Sequence, residues 1–444
     1  MTPQPSWSAD QPAPNRGEPR ELTLAVGAPA HGGHCVARPV DDPGGRVIFV
    51  RHALPGETVR ARLTEMTSRT WRADAVEILQ ASPDRVESVW PEAGPAGVGG
   101  GELAHVALDA QRTWKRWVLA DCLRRIGGQE VADAVASLPE ASGAAAVPIE
   151  PMPTDAAAQA SSSARRRALA GTATRTRISL TVSEDGRPGM HAFRSGTVLP
   201  LRRLPLAVDA ITEIGLLERS RWRAHYRPGM RIEAIAPSGG EPVVLLGERL
   251  LTAQARSTGR RRVREVVDAS ALGLGELTYS VHAEGFWQVH VDAPRVLVER
   301  VVRGALGEDL EGAADSRVLE LYSGAGLFTL PLAALVGDSG QVLSLEGNEQ
   351  AVRDARRTLH EHPGARLAAG RVSARSVREL AGSFKGGRPD VVVLDPPRQG
   401  AGREVVEAVG ALGAERIVLV ACDPAALARD LGTLLRRPAT AWVP

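Results

Sequence analysis

Cysteine and lysine are scarce in this chain, and each scarcity excludes something. Three cysteines in 444 residues, Cys35, Cys122 and Cys422, are too few for a disulfide framework. Lys115 and Lys385 are the only lysines, so the 54 basic residues are almost all arginine. Arginine suits bidentate phosphate contacts, although a coding bias toward Ala, Gly and Arg accounts for most of the excess. The formal net charge of +2 does not by itself imply a nucleic-acid partner. No apolar run approaches the ~20 residues that span a bilayer, so no membrane partner is expected. The first twenty residues, MTPQPSWSADQPAPNRGEPR, contain no apolar core of the kind a secretory signal carries. The expected compartment is the cytoplasm, in agreement with the few cysteines. His31, His34 and Cys35 lack a second ligand pair at zinc spacing, so no metal site is expected.

What is present divides the chain into several parts, as its length predicts. Residues 1–20 are Pro-rich and polar and read as a disordered tail. From 21 to 80, short alternating runs at 22–26, 47–50, 57–63 and 71–79 are separated by Gly32-Gly33, Asp42-Pro43-Gly44-Gly45 and Pro55-Gly56. That pattern predicts a small OB-like β-barrel, with His34 and Cys35 in a Gly-rich turn. Arg46, Arg51, Arg60, Arg62, Arg69 and Arg72 are its candidate phosphate contacts. Residues 81–275 read as a central α+β domain. It opens with a helix over 108–125, in which Leu119 and Leu123 share the buried face and Cys122 packs. An Ala/Ser/Pro-rich flexible linker follows at 130–164. Antiparallel strands come next at 177–182, 190–194, 197–200, 231–236 and 243–247, with a helix near 206–217. The basic run RSTGRRRVR at 256–264 reads equally as a phosphate-tracking segment and as a solvated loop or edge strand.

From residue 276 the pattern turns to strand, helix, strand. Residues 318–321 form a strand, Ser323-Gly324-Ala325-Gly326 a tight turn, and a helix follows from Leu327. A second strand, 341–345, ends in Glu346, placed to bind a ribose diol. A dinucleotide or S-adenosylmethionine (SAM) fits this frame. The third glycine of a dinucleotide fingerprint is replaced by Thr329, which favours SAM and counts against a nicotinamide oxidoreductase. The stretch DVVVLDPPRQGAGREVVEAVGALGAERIVLVACDPAALARDL is another strand–helix–strand unit. Ligands bind outside the carboxyl ends of parallel strands, so Asp395 and Cys422 belong on one rim. Cys422 just precedes a helix N-terminus, a place that favours a thiolate. On position alone, a nucleophile and a buried packing cysteine stand as equal readings.

The segments VGAPAHGGHCVARPV and VIFVRHALPGETVRARL resemble a TRAM domain. Together with GFWQVH, LELYSGAGLFTLPLA, SLEGNEQAVRDAR, VVVLDPPRQGAG and VLVACDPAALARDL, they resemble the SAM-dependent RNA uridine carbon-5 methyltransferases, in their TRAM-containing bacterial branch. The resemblance implies a multidomain α/β protein: an N-terminal TRAM β-barrel of the OB type, a central α+β domain, and a C-terminal Rossmann-like methyltransferase domain over 276–444. It makes Cys422 the catalytic nucleophile. It assigns SAM binding to Gln288, Tyr322, Leu327, Glu346, Ser373 and Asp395, beside the turn glycines Gly324 and Gly326. Leu327 and Ser373 depart from the family's usual Asn and Asn/Asp.

The resemblance further implies an RNA substrate, ribosomal RNA before tRNA; nothing in the sequence suggests more than a monomer. Many relatives hold an iron–sulfur cluster through four central-domain cysteines. SVWPEAGPAGVGGGELAHV has none, so no cluster is expected. The family's Cys-Asn-Pro is Cys-Asp-Pro here, and Asp423 adds a negative charge beside the thiol. The family's general base is a Glu in a later segment, and no match to that segment follows Cys422, so the chain is expected to lack the family's C-terminal end. The alternatives are a SAM-dependent nitrogen or oxygen RNA methyltransferase and a catalytically impaired RNA-binding relative. The first is disfavoured by Arg398, where an aromatic would stack the target base.

Overall fold

The computed structural model describes residues 20–139, 141 and 147–436. The Pro-rich tail and the last residues of the chain, both subjects of expectations above, lie outside the described residues, as does part of the 130–164 stretch. The described residues form two units: one of 20–88, 93–96 and 100–107, the other of 89–92, 97–99 and 108–436.

In the first unit, period-two alternation closes into a barrel. Its strands are β1 (Glu21–Ala30), β2 (His34–Pro39), β3 (Ile48–Arg51), β4 (Thr58–Met66) and β5 (Trp71–Gln80), hydrogen-bonded in the order β1-β2-β3-β5-β4. Leu24, Cys35, Ile48, Val50, Val59 and Ala61 fill the interior, as a narrow barrel requires. Strand β2 was not expected. Gly32 (φ +83°) and Gly33 (φ +77°) do make the tight turn, but His34 and Cys35 pair at once with Ala30 and Pro29. Cys35 is therefore core, and burial pushes its thiol pKa up.

Most of the barrel's candidate phosphate-binding arginines already hold acids. Arg51 is buried in a two-bond pair with Asp74, both bonds 2.8 Å, which removes it from the surface. Arg60 pairs with Glu77 and Glu21, Arg62 with Glu21, and Arg72 with Glu65. Arg46 and Arg69 remain without an acidic partner among the described residues. Arg46 lies over the Trp71 ring at 5.3 Å. The sequence places all six arginines in one segment, but cross-strand neighbours decide which of them are neutralised.

The second unit begins with α1 (Leu108–Cys122), which runs on into a π-turn at Leu123–Gly127. Where a linker was expected there are helices: α2 (Gln129–Ala136), α3 (Pro153–Gln159) and α4 (Ala164–Ala168). Helix α3 is tied down by Thr154, whose N–H and hydroxyl both donate to Asp292. Six antiparallel strands follow: β6 (Arg177–Val182), β7 (Pro188–His191), β8 (Val198–Pro200), β9 (Arg231–Ile235), β10 (Val243–Leu246) and β11 (Arg249–Thr252). Their order is β11-β10-β9-β6-β7-β8. The helix expected near 206–217 shrinks to a single turn, α5 (Asp209–Thr212), followed by α6 (Ser220–Arg223). The basic run 256–264 leads into β12 (Arg262–Asp268), which pairs with β13 (Glu276–His282).

After α7 (Ala293–Leu306), strands and helices alternate: β14 (Arg317–Leu321), α8 (Thr329–Val336), β15 (Gln341–Glu346), α9 (Glu349–Thr358), β16 (Ala365–Ala369), α10 (Ala374–Ala381), β17 (Val391–Leu394), α11 (Arg403–Gly410), β18 (Arg416–Leu419) and α12 (Pro424–Leu435). The sheet is parallel, in the order β16-β15-β14-β17-β18. Val391–Leu394 is buried throughout, because helices cover both faces. Val318, Val342 and Val393 pack on one side, and Leu319, Leu343 and Val392 on the other. The chain leaves β14 toward β15 and β16, then returns to its other side for β17. The switch in direction falls between β14 and β17, where a crevice opens at the strand ends.

Two histidines of the first unit, one beside the barrel strand β3 and one in the 100–107 segment, predict an acid sensitivity. His52 and His105 are buried with ring centroids 5.8 Å apart, and neither Nε2 has a hydrogen-bond partner. Burial pushes both imidazoles below their ordinary pKa, His105 to about 3, with Arg85 close by. The unfolded chain takes up these protons from roughly pH 6.5 and the fold resists them. The contribution to stability is therefore complete above about pH 6.5 and is lost as the pH falls toward 4. Thermal unfolding of the barrel should drop by at least about 5 °C between pH 7.5 and pH 5. His105→Phe should reduce the drop; an unchanged drop in that variant would clear the pair of responsibility.

Candidate active site

The crevice is built by the residues just past each strand. Tyr322 follows β14 at φ +64°, unusual for a non-glycine side chain. Its N–H donates to the Leu345 carbonyl at 2.8 Å, while the Asp395 N–H donates to the Leu321 carbonyl at 3.3 Å. The turn then needs Gly324 (φ +54°) and Gly326 (φ +87°). A Cβ on Gly326 would lie 3.2 Å from that of Ala355 in α9, whereas one on Gly324 would meet nothing within 4 Å. The turn thus presses on α9 and faces open space on its other side. Helix α8 begins at Thr329, two residues later than expected. Leu327 is buried, and its carbonyl accepts the Tyr279 hydroxyl at 3.0 Å.

Glu346, at the end of β15, braces the turn. Its Oε2 accepts the Gly324 N–H at 2.9 Å and its Oε1 the Asn348 N–H at 2.7 Å. Asp395, past β17, is half-buried, and among the described residues no donor reaches its carboxylate. Burial, with the Glu346 charge added, lifts its pKa to about 6.

Sequence reasoning missed a third acid, Glu320. It is 1% exposed, inside β14. Its Oε2 accepts the Thr329 hydroxyl at 2.6 Å, and its Oε1 has no partner. Burial raises it to about 8, and Asp395 and Glu346 push the same way. The signal was an acid inside the apolar run VLEL. Thr329, read only as a missing glycine, supplies the hydroxyl that Glu320 requires.

The remaining candidates lie farther along the rim or outside the sheet. Ser373, beyond the edge strand β16, is the N-cap of α10. Its hydroxyl accepts the Ser376 N–H at 3.2 Å, and the Ser376 hydroxyl accepts the Ser373 N–H at 2.9 Å. This capping box engages the hydroxyl in the helix. Gln288 sits on the turn between β13 and α7. That turn is clamped by the Thr176 N–H donating to the Val289 carbonyl and the Val291 N–H donating to the Thr174 carbonyl, both 2.8 Å.

Cys422 follows the opposite edge strand, β18. It is exposed, while Cys35 and Cys122 are buried, so the packing reading does not describe it. The pairing of Leu394 with Leu419 sets Asp395 and the Cys422 loop at adjacent strand ends. Asp423 is the N-cap of α12, its Oδ1 accepting the N–H groups of Ala425 (3.0 Å) and Ala426 (2.9 Å). Its carboxylate is thereby aimed at the helix terminus.

Two rim carboxylates, Glu346 and Asp395, with no arginine or lysine paired to them among the described residues, suit a cation that also offers hydroxyls. SAM has both, a sulfonium and ammonium charge and a ribose diol, so the residues fit it. No group of three or more His, Cys, Asp or Glu is placed to hold a metal ion, and no helix is long and apolar enough to cross a membrane, among the described residues.

Comparison with known proteins gives concordant results. Residues 276–439 match the family model described as tRNA (uracil-5-)-methyltransferase, and residues 18–76 match the TRAM domain. The chain is 39% identical over 437 residues to an uncharacterized RNA methyltransferase of Streptomyces coelicolor, covering 93% of this chain and 86% of the relative. It is 29% identical to a 23S rRNA (uracil(1939)-C(5))-methyltransferase of Acinetobacter baumannii, covering 92% and 86%. Among solved structures it is similar to the Pyrococcus abyssi tRNA (uracil-54, C5)-methyltransferase in complex with S-adenosyl-L-homocysteine. The TM-score is 0.58 at 18% identity, covering 93% of this chain and 92% of that one.

The raised pKa of Asp395 predicts a pH-dependent affinity for SAM. Asp395 must be ionised to favour a cation, and its ligand-free pKa is about 6. SAM affinity should therefore rise between pH 5 and pH 7. Asp395→Asn should remove most of that rise in a calorimetric titration. The same slope in the variant would place Asp395 away from the cofactor.

Proposed function

We propose, for a chain that belongs to the family of SAM-dependent RNA (uracil-5-)-methyltransferases, that it methylates carbon 5 of a uridine in RNA through a covalent bond between Cys422 and the uracil ring. The observation that carries the reading is the placement of an exposed cysteine at the strand end next to Asp395, on the rim that fits SAM. Carbon 5 of uracil is a weak nucleophile. Addition of the Cys422 thiolate to carbon 6 forms a sulfur–carbon bond and moves the ring's double-bond electrons toward carbon 5 and the neighbouring carbonyl. Bound SAM supplies an electrophilic methyl group. A base then takes the carbon-5 proton, the double bond re-forms, and the sulfur–carbon bond breaks to return the thiolate.

Gln288, Tyr322, Gly324, Gly326, Leu327, Glu346, Ser373 and Asp395 are proposed to hold the cofactor. Gln288 and Asp395 also orient the base. Tyr322 is half-buried and its phenol is pushed up to about 12, so it acts as a neutral hydroxyl. Ser373 contributes chiefly by shaping the end of β16, since its hydroxyl caps α10. The target uridine leaves its stack to reach the rim, at a cost of a few kcal/mol. RNA contacts from the barrel at 21–80 and the central region at 81–275 offset that cost. Two features favour ribosomal RNA as the substrate: the TRAM barrel, and the relative named for that reaction. The protein acts as a monomer in the cytoplasm, without an iron–sulfur cluster.

RNA substituted with 5-fluorouridine tests the reading, because fluorine at carbon 5 blocks proton removal. With SAM present, a protein–RNA adduct should survive a denaturing gel. Cys422→Ala should lower methyl transfer by at least about 10³-fold and abolish the adduct, with SAM affinity unchanged within about twofold. Transfer that persists in Cys422→Ala would make the cysteine a bystander and point to a nitrogen or oxygen methyltransferase.

A further inference from the structure

Helix α12 does more than follow Cys422. Two consecutive residues in it hold the loop that follows Asp395. Arg429 Nη1 donates to the Gln399 carbonyl at 3.0 Å. Asp430, 2% exposed, accepts the Ala401 N–H on Oδ2 at 2.8 Å, and the nearby Gly402 backbone also favours its charged form. The fit is close. Gly400 sits at φ +82°, and a Cβ there would lie 2.7 Å from Asp430 Oδ2. The other carboxylate oxygen, Oδ1, is buried without a partner. A buried, half-satisfied carboxylate is costly, and burial duly raises the Asp430 pKa. Its charge also helps raise the Tyr322 phenol.

We propose that Asp430 is a positioning residue for methyl transfer: by gripping the backbone at 400–402 it fixes the Asp395 loop against the helix that begins beside Cys422. Both ends of the arrangement are short. Asp395 lies five residues before Gly400, and Asp423, the cap of α12, adjoins Cys422. Strand pairing sets β17 and β18 side by side but leaves the loops beyond them free. The grip removes that freedom at the point where nucleophile and methyl donor must meet. The proposal rests on the carbon-5 reading only for the identity of the reacting sulfur.

The test uses the full chain with Asp430→Ala, Asp430→Asn and Gly400→Ala. Misplacement by about 1 Å can cost roughly 10²-fold in rate, so Asp430→Ala should lower kcat about 10- to 100-fold. SAM affinity should stay within about twofold, and the Ala401 and Gly402 amides should exchange hydrogen faster. The asparagine oxygen still accepts the Ala401 N–H, so Asp430→Asn should stay within about threefold of the parent. Gly400→Ala, which drives a methyl into the carboxylate, should resemble Asp430→Ala.

Unchanged amide exchange or unchanged kcat in Asp430→Ala would overturn the proposal. So would a loss of SAM affinity in step with kcat, or an asparagine variant as slow as the alanine one. The 5-fluorouridine trap on the parent protein separates the two readings. A parent that transfers methyl groups without forming an adduct refutes the Cys422 chemistry, while the grip is still judged on exchange and kcat.

Discussion

The reversal of strand order at β14 is the constraint on which the site depends. The sheet grows from β14 in one direction through β15 and β16, and in the other through β17 and β18. Crossovers of one hand place the intervening helices on opposite faces, so the loops after β14 and β17 part and leave a crevice between them. The polar side chains of the rim are there because their strands end there. Glu346 ends β15 and Asp395 comes one residue after Leu394, the end of β17. A register slip of one residue would exchange the two faces of a strand and send Glu320 away from Thr329.

Buried acids divide into two groups, and the division follows their place in the fold. Asp354 accepts the Arg262 guanidinium, the His282 N–H and the Gln350 amide. Glu265 accepts Arg177 and Ser238. These acids join the antiparallel strands to the rest of their unit and have partners on both carboxylate oxygens. Glu320 and Asp430 flank the crevice, and each leaves one oxygen unsatisfied. Fully paired buried charge belongs to scaffolding. Polar atoms left unpaired beside the crevice are a cost that the fold sustains there.

Legibility varied from element to element. The parallel strands β14, β15 and β17 were readable because short runs rich in Val and Leu, bounded by turn residues or an acid, have few other folds. Cys422 and Asp395 could be assigned to one rim from topology alone. Strand β2 was not readable, because the glycines before it read as turn and only pairing with Ala30 and Pro29 makes His34 and Cys35 a strand. Short helices such as α3 and α4 hid in an Ala/Ser-rich segment whose order comes from tertiary bonds, Thr154 to Asp292 among them.

The sequence by itself determined the alternation of strand and helix, the presence of a barrel and of a parallel sheet, the glycine turn with its acidic partner, and the cysteine before a helix. These are local properties, set by side-chain periodicity and by turn chemistry over a few residues. Only the tertiary structure decided which groups are free to act. It buried Arg51 against Asp74, exposed Cys422 while burying Cys35 and Cys122, and set Asp430 against the loop that follows Asp395. The physical reason is that desolvation and pairing depend on residues tens to hundreds of positions away. A side chain's charge and reach are written in the chain, but its burial and its partners are properties of the packed fold.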